Sequence, residues 1–190
     1  NANLIEVDNT KSALARFASW WRARFALPLI GVVGSNGKTT VKEMIASILR
    51  AHFGNAQVLA TAGNFNNDIG LPLTLLRLSD AHRAGVVEIG MNHPGETALL
   101  AAIAQPTIGL INNAQREHQE FMRSVGDVAI EHGTLIQGLP PDGVAILNAD
   151  DAHVNQWRTL AASRAIRSFG LRSGADVRAN FELRGAEVHL

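Results

Sequence analysis

The chain runs through Leu29-Ile30-Gly31-Val32-Val33 into Gly34-Ser35-Asn36-Gly37-Lys38-Thr39-Thr40. It continues in a segment where Val41, Met44, Ile45, Ile48 and Leu49 recur at the spacing of one helix face. No other stretch limits the possible folds so strongly. A short apolar run without alternation reads as a strand buried on both faces, the kind found in parallel sheets. A glycine-rich turn that feeds such a strand straight into a helix exposes successive backbone N–H groups at the helix N-terminus, where the peptide dipoles also favour an anion. Lys38 adds a positive charge suited to terminal phosphates, and the Thr39 hydroxyl is placed to bind Mg²⁺. Gly34, Ser35, Asn36, Gly37, Lys38, Thr39 and Thr40 are therefore the candidate nucleotide-binding residues. The match to G-x-x-x-x-G-K-[ST] departs at its start, where Val32 stands in place of the first glycine and Gly31 comes one residue early. A plain turn followed by a helix with an exposed lysine is the bland competitor.

The rest of the chain repeats the alternation. Strands are predicted over Gln57 to Ala60, Gly85 to Gly90, Thr107 to Asn112, Val144 to Leu147 and Ala165 to Phe169. Between them come a short helix from Pro72 to Leu78, a helix near Pro94 with Leu99, Leu100 and Ile103 inside, and helices over Asp127 to Gln137 and residues 151–162. The predicted class is α/β: a P-loop-type, mostly parallel sheet with helices on both faces. Alternation from Val177 to Arg184, a turn at Arg184-Gly185-Ala186 and a last run from Glu187 to Leu190 add a small antiparallel strand pair near the C-terminus. At the other end, Asn3 to Val7 reads as the tail of a strand. Asp8-Asn9-Thr10 offers N-cap chemistry to a helix whose apolar face carries Leu14, Phe17, Ala18, Trp21 and Phe25, with Lys11, Arg16 and Arg22 toward solvent. The missing initial methionine and the strand on which the sequence stops read as a fragment of a longer protein.

Charge excludes several classes of partner. Lys plus Arg and Asp plus Glu number 17 each, so no global field draws the chain to nucleic acid or membrane. The longest apolar stretch, Ala26 to Val33, is interrupted by Pro28 and Gly31 and is far too short to insert in a bilayer. No signal peptide is visible. With no cysteine, disulfides and thiolate chemistry are excluded. A cytoplasmic consumer of ATP, expected to be a monomer, fits these limits.

Ligands of such sheets gather at the carboxyl ends of the strands, and several polar residues fall there. Glu88 interrupts an apolar strand; an unpaired buried carboxylate costs several kcal/mol, so it must meet a cation, take a proton or reach water. Mg²⁺ shared with Thr39 and nucleotide phosphates would supply the cation, whereas a local ion pair with Arg83 is the competing reading. His118 lies in the polar stretch after the Thr107–Asn112 strand, where a lone histidine is ordinarily a surface residue. His52, His82, His153 and His189 show no ligand spacing. In Gly63-Asn64-Phe65-Asn66-Asn67-Asp68-Ile69-Gly70, the side chains of Asn66, Asn67 and Asp68 suit either a structural turn or recognition of a polar substrate. Sequence leaves that choice open.

Together these residues resemble the central ATPase domain of the Mur ligase family over nearly the whole chain. The resemblance rests on Gly34 to Met44, on Gly63 to Pro72, on Glu88-Ile89-Gly90-Met91-Asn92-His93-Pro94-Gly95-Glu96, on the spacing from Asn113 to His118, and on Gly138-Leu139-Pro140-Pro141-Asp142-Gly143. The Asn-Asn-Asp-Ile-Gly segment and the Met-Asn-His-Pro-Gly-Glu run are most similar to the branch that adds D-alanyl-D-alanine to UDP-N-acetylmuramoyl-tripeptide. What this implies is an ATP- and Mg²⁺-dependent amide ligase of peptidoglycan synthesis that works through an acyl phosphate. Lys38 would stabilise the transferring phosphoryl group, Thr39 and Glu88 would hold the first Mg²⁺, and His118 would contribute to a second metal. Lys38, Glu88 and His118 are thus the expected catalytic residues. By the same resemblance, residues 1–27 would be the end of an N-terminal substrate domain with a linker helix. Residues 28–190 would be a central ATPase domain, truncated and without its C-terminal neighbour, so the 190 residues alone are expected to bind nucleotide weakly and not to turn over.

One departure from the family pattern falls at His132, where relatives generally carry a lysine carboxylated by CO₂. A histidine cannot form that carbamate, and losing one negative charge about 4 Å from a cation is worth on the order of 4 kcal/mol at an effective dielectric near 20. His132 is therefore a candidate metal ligand in its own right, or a residue that merely packs. The alternatives to the leading reading are another Mur-type or folylpolyglutamate-type ligase, and a nucleotide-binding module that does not catalyse.

Overall fold

The computed structural model describes residues 4–117, 120–171 and 174–179, together with the backbone of strands at 182–184 and 187–189. Seven strands form one sheet in the order β2-β3-β1-β4-β5-β6-β7: β1 Leu29–Val33, β2 Val58–Ala60, β3 Ala84–Glu88, β4 Ile108–Ile111, β5 Val144–Asn148, β6 Ala165–Gly170 and β7 Val177–Arg178. Every neighbouring pair is parallel. Six α-helices accompany them: α1 Thr10–Arg22, α2 Lys38–Phe53, α3 Gly70–Leu75, α4 Glu96–Ala104, α5 Val125–Gln137 and α6 Val154–Ala161. The chain leaves β1 for β2 and β3 on one side, then crosses to β4 on the other. That reversal opens a crevice at the carboxyl ends of β1 and β4, where sheets of this kind take their ligands.

Alternate strand residues separate two cores. Leu29, Val33, Val87, Ile111, Ala145 and Leu147 face one side, packed under α1, α3, α4, α5 and α6. Val32, Val86 and Leu110 face the other, where α2 alone supplies Ala46, Val41 and Ile45. Helices thus cover both faces, but unequally. No helix among the described residues is long and apolar enough to cross a membrane.

Several local expectations change. Leu4 to Val7 form no strand and are exposed, because no neighbouring strand offers them a ladder among the described residues. α1 begins as expected, with the Asn9 carboxamide oxygen accepting from Ser12 N at 2.9 Å. Phe17, however, is exposed and Arg22 is buried. The Arg22 guanidinium donates to the carbonyls of Ala104, Phe25, Leu27 and Gln105, tying the end of α1 to the end of α4. On α2 Lys42 and Ala46 are buried against the sheet with Val41 and Ile45 packed beside them, while Met44 and Ile48 are exposed. The helix is turned because the Lys42 Nζ reaches Thr61 O at the end of β2, at 2.9 Å, and also bonds Glu43. Leu99 on α4 is likewise exposed. The alternating run from Val177 divides: Val177–Arg178 joins the main sheet parallel to Phe169–Gly170, while Glu182–Arg184 pairs antiparallel with Glu187–His189. Asp176 fixes the first piece by accepting from Ser168 N and Oγ, both at 2.7 Å.

Candidate active site

Gly34 to Gly37 turn out of β1 directly against the residues that follow β4. Gly34 (φ 148°) and Gly37 (φ 76°) adopt backbone conformations that side chains disfavour. Their surroundings add to the requirement, since a Cβ on Gly34 would sit 2.9 Å from Asn112 Cβ. The loop is held by main chain and amides together. Ser35 N donates to Asn113 O at 3.1 Å, Asn36 N to Asn113 Oδ1 at 3.0 Å, and Asn112 Nδ2 to Asn36 O at 2.7 Å. Gln115 closes the far side, accepting from Asn36 Nδ2 and donating its N–H to Ser35 Oγ, both at 2.8 Å. The Asn112-Asn113 pair is therefore the support of the loop. Gly37 has no side chain to cap α2, so the first N–H groups of that helix face the crevice with the dipole behind them.

Thr39, in the first turn of α2, donates its hydroxyl to Glu88 Oε2 at 2.9 Å. Glu88 closes β3, which pairs directly with β1, and is 3% exposed. Its other oxygen accepts from Asn66 Nδ2 at 2.7 Å, and its backbone N–H donates to Thr61 Oγ1. Its partners are thus the first turn of α2 and the Gly63–Gly70 segment rather than Arg83. That segment is clamped over the strand end: Gly90 N donates to Asn66 O, and a Cβ on Gly70 would lie 2.4 Å from Phe65 Cα. The three candidate substrate residues line one cleft with Lys38 but bond to different partners. Asn66 reaches Glu88; Asn67 Oδ1 accepts from Ile69 N and Gly70 N at the start of α3; and Asp68 pairs with Lys11 at 2.8 Å on the surface.

Lys38 donates to Gly34 O within its own loop and lies 3.8 Å from Glu117 Oε2. Glu117 also accepts from Ser35 Oγ at 3.0 Å. His132, on the buried face of α5, brings Nε2 to 3.1 Å from Glu117 Oε1, off the line of a good hydrogen bond. Burial alone would raise the Glu117 carboxyl; the His132 contact, the Lys38 charge and the Ser35 hydroxyl outweigh it and hold the group below the ordinary carboxylate range. His118 lies outside the described residues.

Beside Lys38 and Asn66 opens a cleft of about 460 Å³, floored by Gly90 and Met91 and walled by Asn92 and Glu96. Glu96 holds this wall, accepting from Asn92 N and His93 N at 2.6 and 3.1 Å. Glu131 holds it from behind, taking Gly95 N and Thr97 N at 2.9 and 2.8 Å. Glu131 and Glu117 were not singled out by sequence reasoning. Glu131 shares the Val128–Leu135 stripe of α5, and a carboxylate at such spacing is a readable signal; Glu117 sits in a stretch whose polarity suggested only surface. No group of three or more His, Cys, Asp or Glu side chains able to hold a metal lies among the described residues. The donors present, a hydroxyl and a carboxylate at hydrogen-bond distance beside a phosphate-sized turn, are the oxygen set that Mg²⁺ takes when it keeps waters and shares phosphates.

A family model described as the Mur ligase middle domain matches residues 32–189. The UDP-N-acetylmuramoyl-tripeptide–D-alanyl-D-alanine ligase of Haemophilus influenzae is 43% identical over 164 residues, covering 86% of this chain and 36% of that protein. A crystal structure of MurF from Acinetobacter baumannii superposes with a TM-score of 0.87 at 35% identity, over 94% of this chain and 39% of the other. MurF from Thermotoga maritima, solved in complex with ADP, gives 0.84 at 26% identity over 99% and 44%. The chain therefore spans less than half the length of these relatives.

Proposed function

The chain belongs to the Mur ligase family, and on that premise we propose that it is the nucleotide-handling part of an ATP-dependent ligase joining D-alanyl-D-alanine to UDP-N-acetylmuramoyl-tripeptide in peptidoglycan precursor synthesis. The observation that carries the reading is the meeting of Thr39 and Glu88 at 2.9 Å, beside a glycine turn that aims helix N–H groups at one crevice. In this reading the terminal carboxylate of the tripeptide attacks the γ-phosphorus of ATP. An O–P bond forms, the bond to the bridging oxygen breaks, and ADP leaves. The amine of D-alanyl-D-alanine then attacks the acyl carbon and expels phosphate, losing a proton as the amide forms.

The chain's own groups position and neutralise, which is most of the catalysis available to phosphoryl transfer. The N–H groups of Gly37 to Thr40 cradle the phosphates, and the Lys38 ammonium follows the phosphoryl group as it moves. Thr39 and Glu88 would hold Mg²⁺, whose charge would offset that building on the phosphate oxygens. Asn66 keeps Glu88 aimed, and the cleft walled by Asn92 and Glu96 suits the reacting end of the peptide. We place the reaction in the cytoplasm, where ATP is supplied.

The test uses full-length protein with UDP-N-acetylmuramoyl-tripeptide, following ADP release with and without D-alanyl-D-alanine. Release that depends on both substrates, and that falls by about 10²-fold or more in Lys38→Ala, is expected. Release indifferent to D-alanyl-D-alanine would remove this assignment.

A further inference from the structure

Glu117, which has no part in the chemistry above, meets the Gly34–Lys38 turn twice. Oε1 accepts from Ser35 Oγ at 3.0 Å, and Oε2 stands 3.8 Å from Lys38 Nζ. His132 presses on it from the opposite side at 3.1 Å and is 1% exposed. That ring belongs to α5, which packs against β1 and β4, so it is placed by the core and not by the loop. The ammonium that the loop would offer to a nucleotide is thus already opposed by a nearly buried anion of this chain. Resting on the nucleotide reading above, we propose that Glu117, braced by His132, competes with the incoming phosphates for Lys38 and so sets the affinity and release of nucleotide.

The physics fixes the sign of the effect. A nucleotide tail that reaches Lys38 brings several negative charges toward the same ammonium. A carboxylate roughly 6 to 8 Å from one phosphate charge, in a half-wet site, repels it by the equivalent of about tenfold in binding. Removing that charge must therefore tighten nucleotide binding. Damage to the loop or to its packing would loosen it. Few substitutions beside a ligand site strengthen binding, so the direction alone separates competition from a structural role.

The measurement is equilibrium binding of ADP in EDTA to the full-length protein, which keeps metal ligation out of the comparison. Wild type and Lys38→Ala come first. If wild type does not bind, or binds equally without the lysine, the nucleotide reading itself fails. If Lys38→Ala loses binding, the remaining variants bear on Glu117 alone. Glu117→Gln keeps an acceptor for Ser35 and loses the charge, and ADP should bind about tenfold more tightly and dissociate more slowly. Glu117→Ala is a second route to the same loss of charge and should move the same way. His132→Gln should also tighten binding, but only where Glu117 is present, giving no further change in Glu117→Gln. Weaker or unchanged affinity in a Glu117→Gln protein that melts like wild type overturns the competition. A His132→Gln effect of equal size with and without Glu117 overturns the bracing.

Discussion

Each side-chain oxygen of the buried Glu88 has a donor, Thr39 Oγ1 for one and Asn66 Nδ2 for the other. A buried charge lacking such partners costs several kcal/mol. Asn66 thereby acquires a role distinct from its neighbours: Asn67 serves the α3 terminus and Asp68 a surface ion pair. In the full-length protein, Asn66→Ala should lower Mg²⁺-dependent ADP release about tenfold, the usual scale for a group that orients a metal ligand. Asn67→Ala should act mainly on the melting temperature. Steady-state release at limiting and saturating Mg²⁺ distinguishes the two variants. At this scale the sequence was legible where chemistry and spacing coincide, as in Gly37-Lys38-Thr39, and where a charge breaks an apolar run, as at Glu88. Glu117 was not legible, because its importance comes from Lys38 and His132, which lie far from it along the chain and meet it only in the fold.

Elements were predicted well in kind and order, and less well in which way they turn. Hydrophobic spacing placed Met44 and Ile48 of α2 inside, but the helix follows Lys42, whose hidden ammonium reaches Thr61 O. A polar contact of that sort shifts which part of an apolar stripe is covered, keeping Val41 and Ile45 on the sheet and leaving Met44 and Ile48 outside, without leaving a mark in the pattern. Arg22 repeats the lesson on α1. Read as solvated, it satisfies carbonyls of Phe25, Leu27, Ala104 and Gln105 around two helix ends. Arg22→Ala would strand these acceptors and is expected to cost about 2–4 kcal/mol of unfolding free energy. Arg22→Lys should recover only part of the loss, since a single ammonium lacks the planar fork that spans several carbonyls. Urea unfolding of the three proteins tests both statements.

Across the whole molecule the two sides of the sheet are unequally clad. Among the described residues, one face lies under five helices, while the other rests on α2 and a small cluster around Val32, Val86 and Leu110. Local opening follows buried contact, so amide exchange should reach α2 well before α5 or the central strands β1 and β4. Hydrogen exchange read by mass spectrometry checks this, and equal protection of α2 and α5 would contradict it. The parallel sheet and its crevice were foreseeable from alternating strands and helices, whereas the thin side was not, because periodicity counts helices without saying which face each will cover. The helix on the thinly covered side is also the one whose first turn would meet the nucleotide in the proposed site. A ligand held there would pin that side at one end, so its occupancy and the rigidity of that flank should rise and fall together. On the proposed reading, scarcity of nucleotide would leave that flank in its more pliable form and open to proteases.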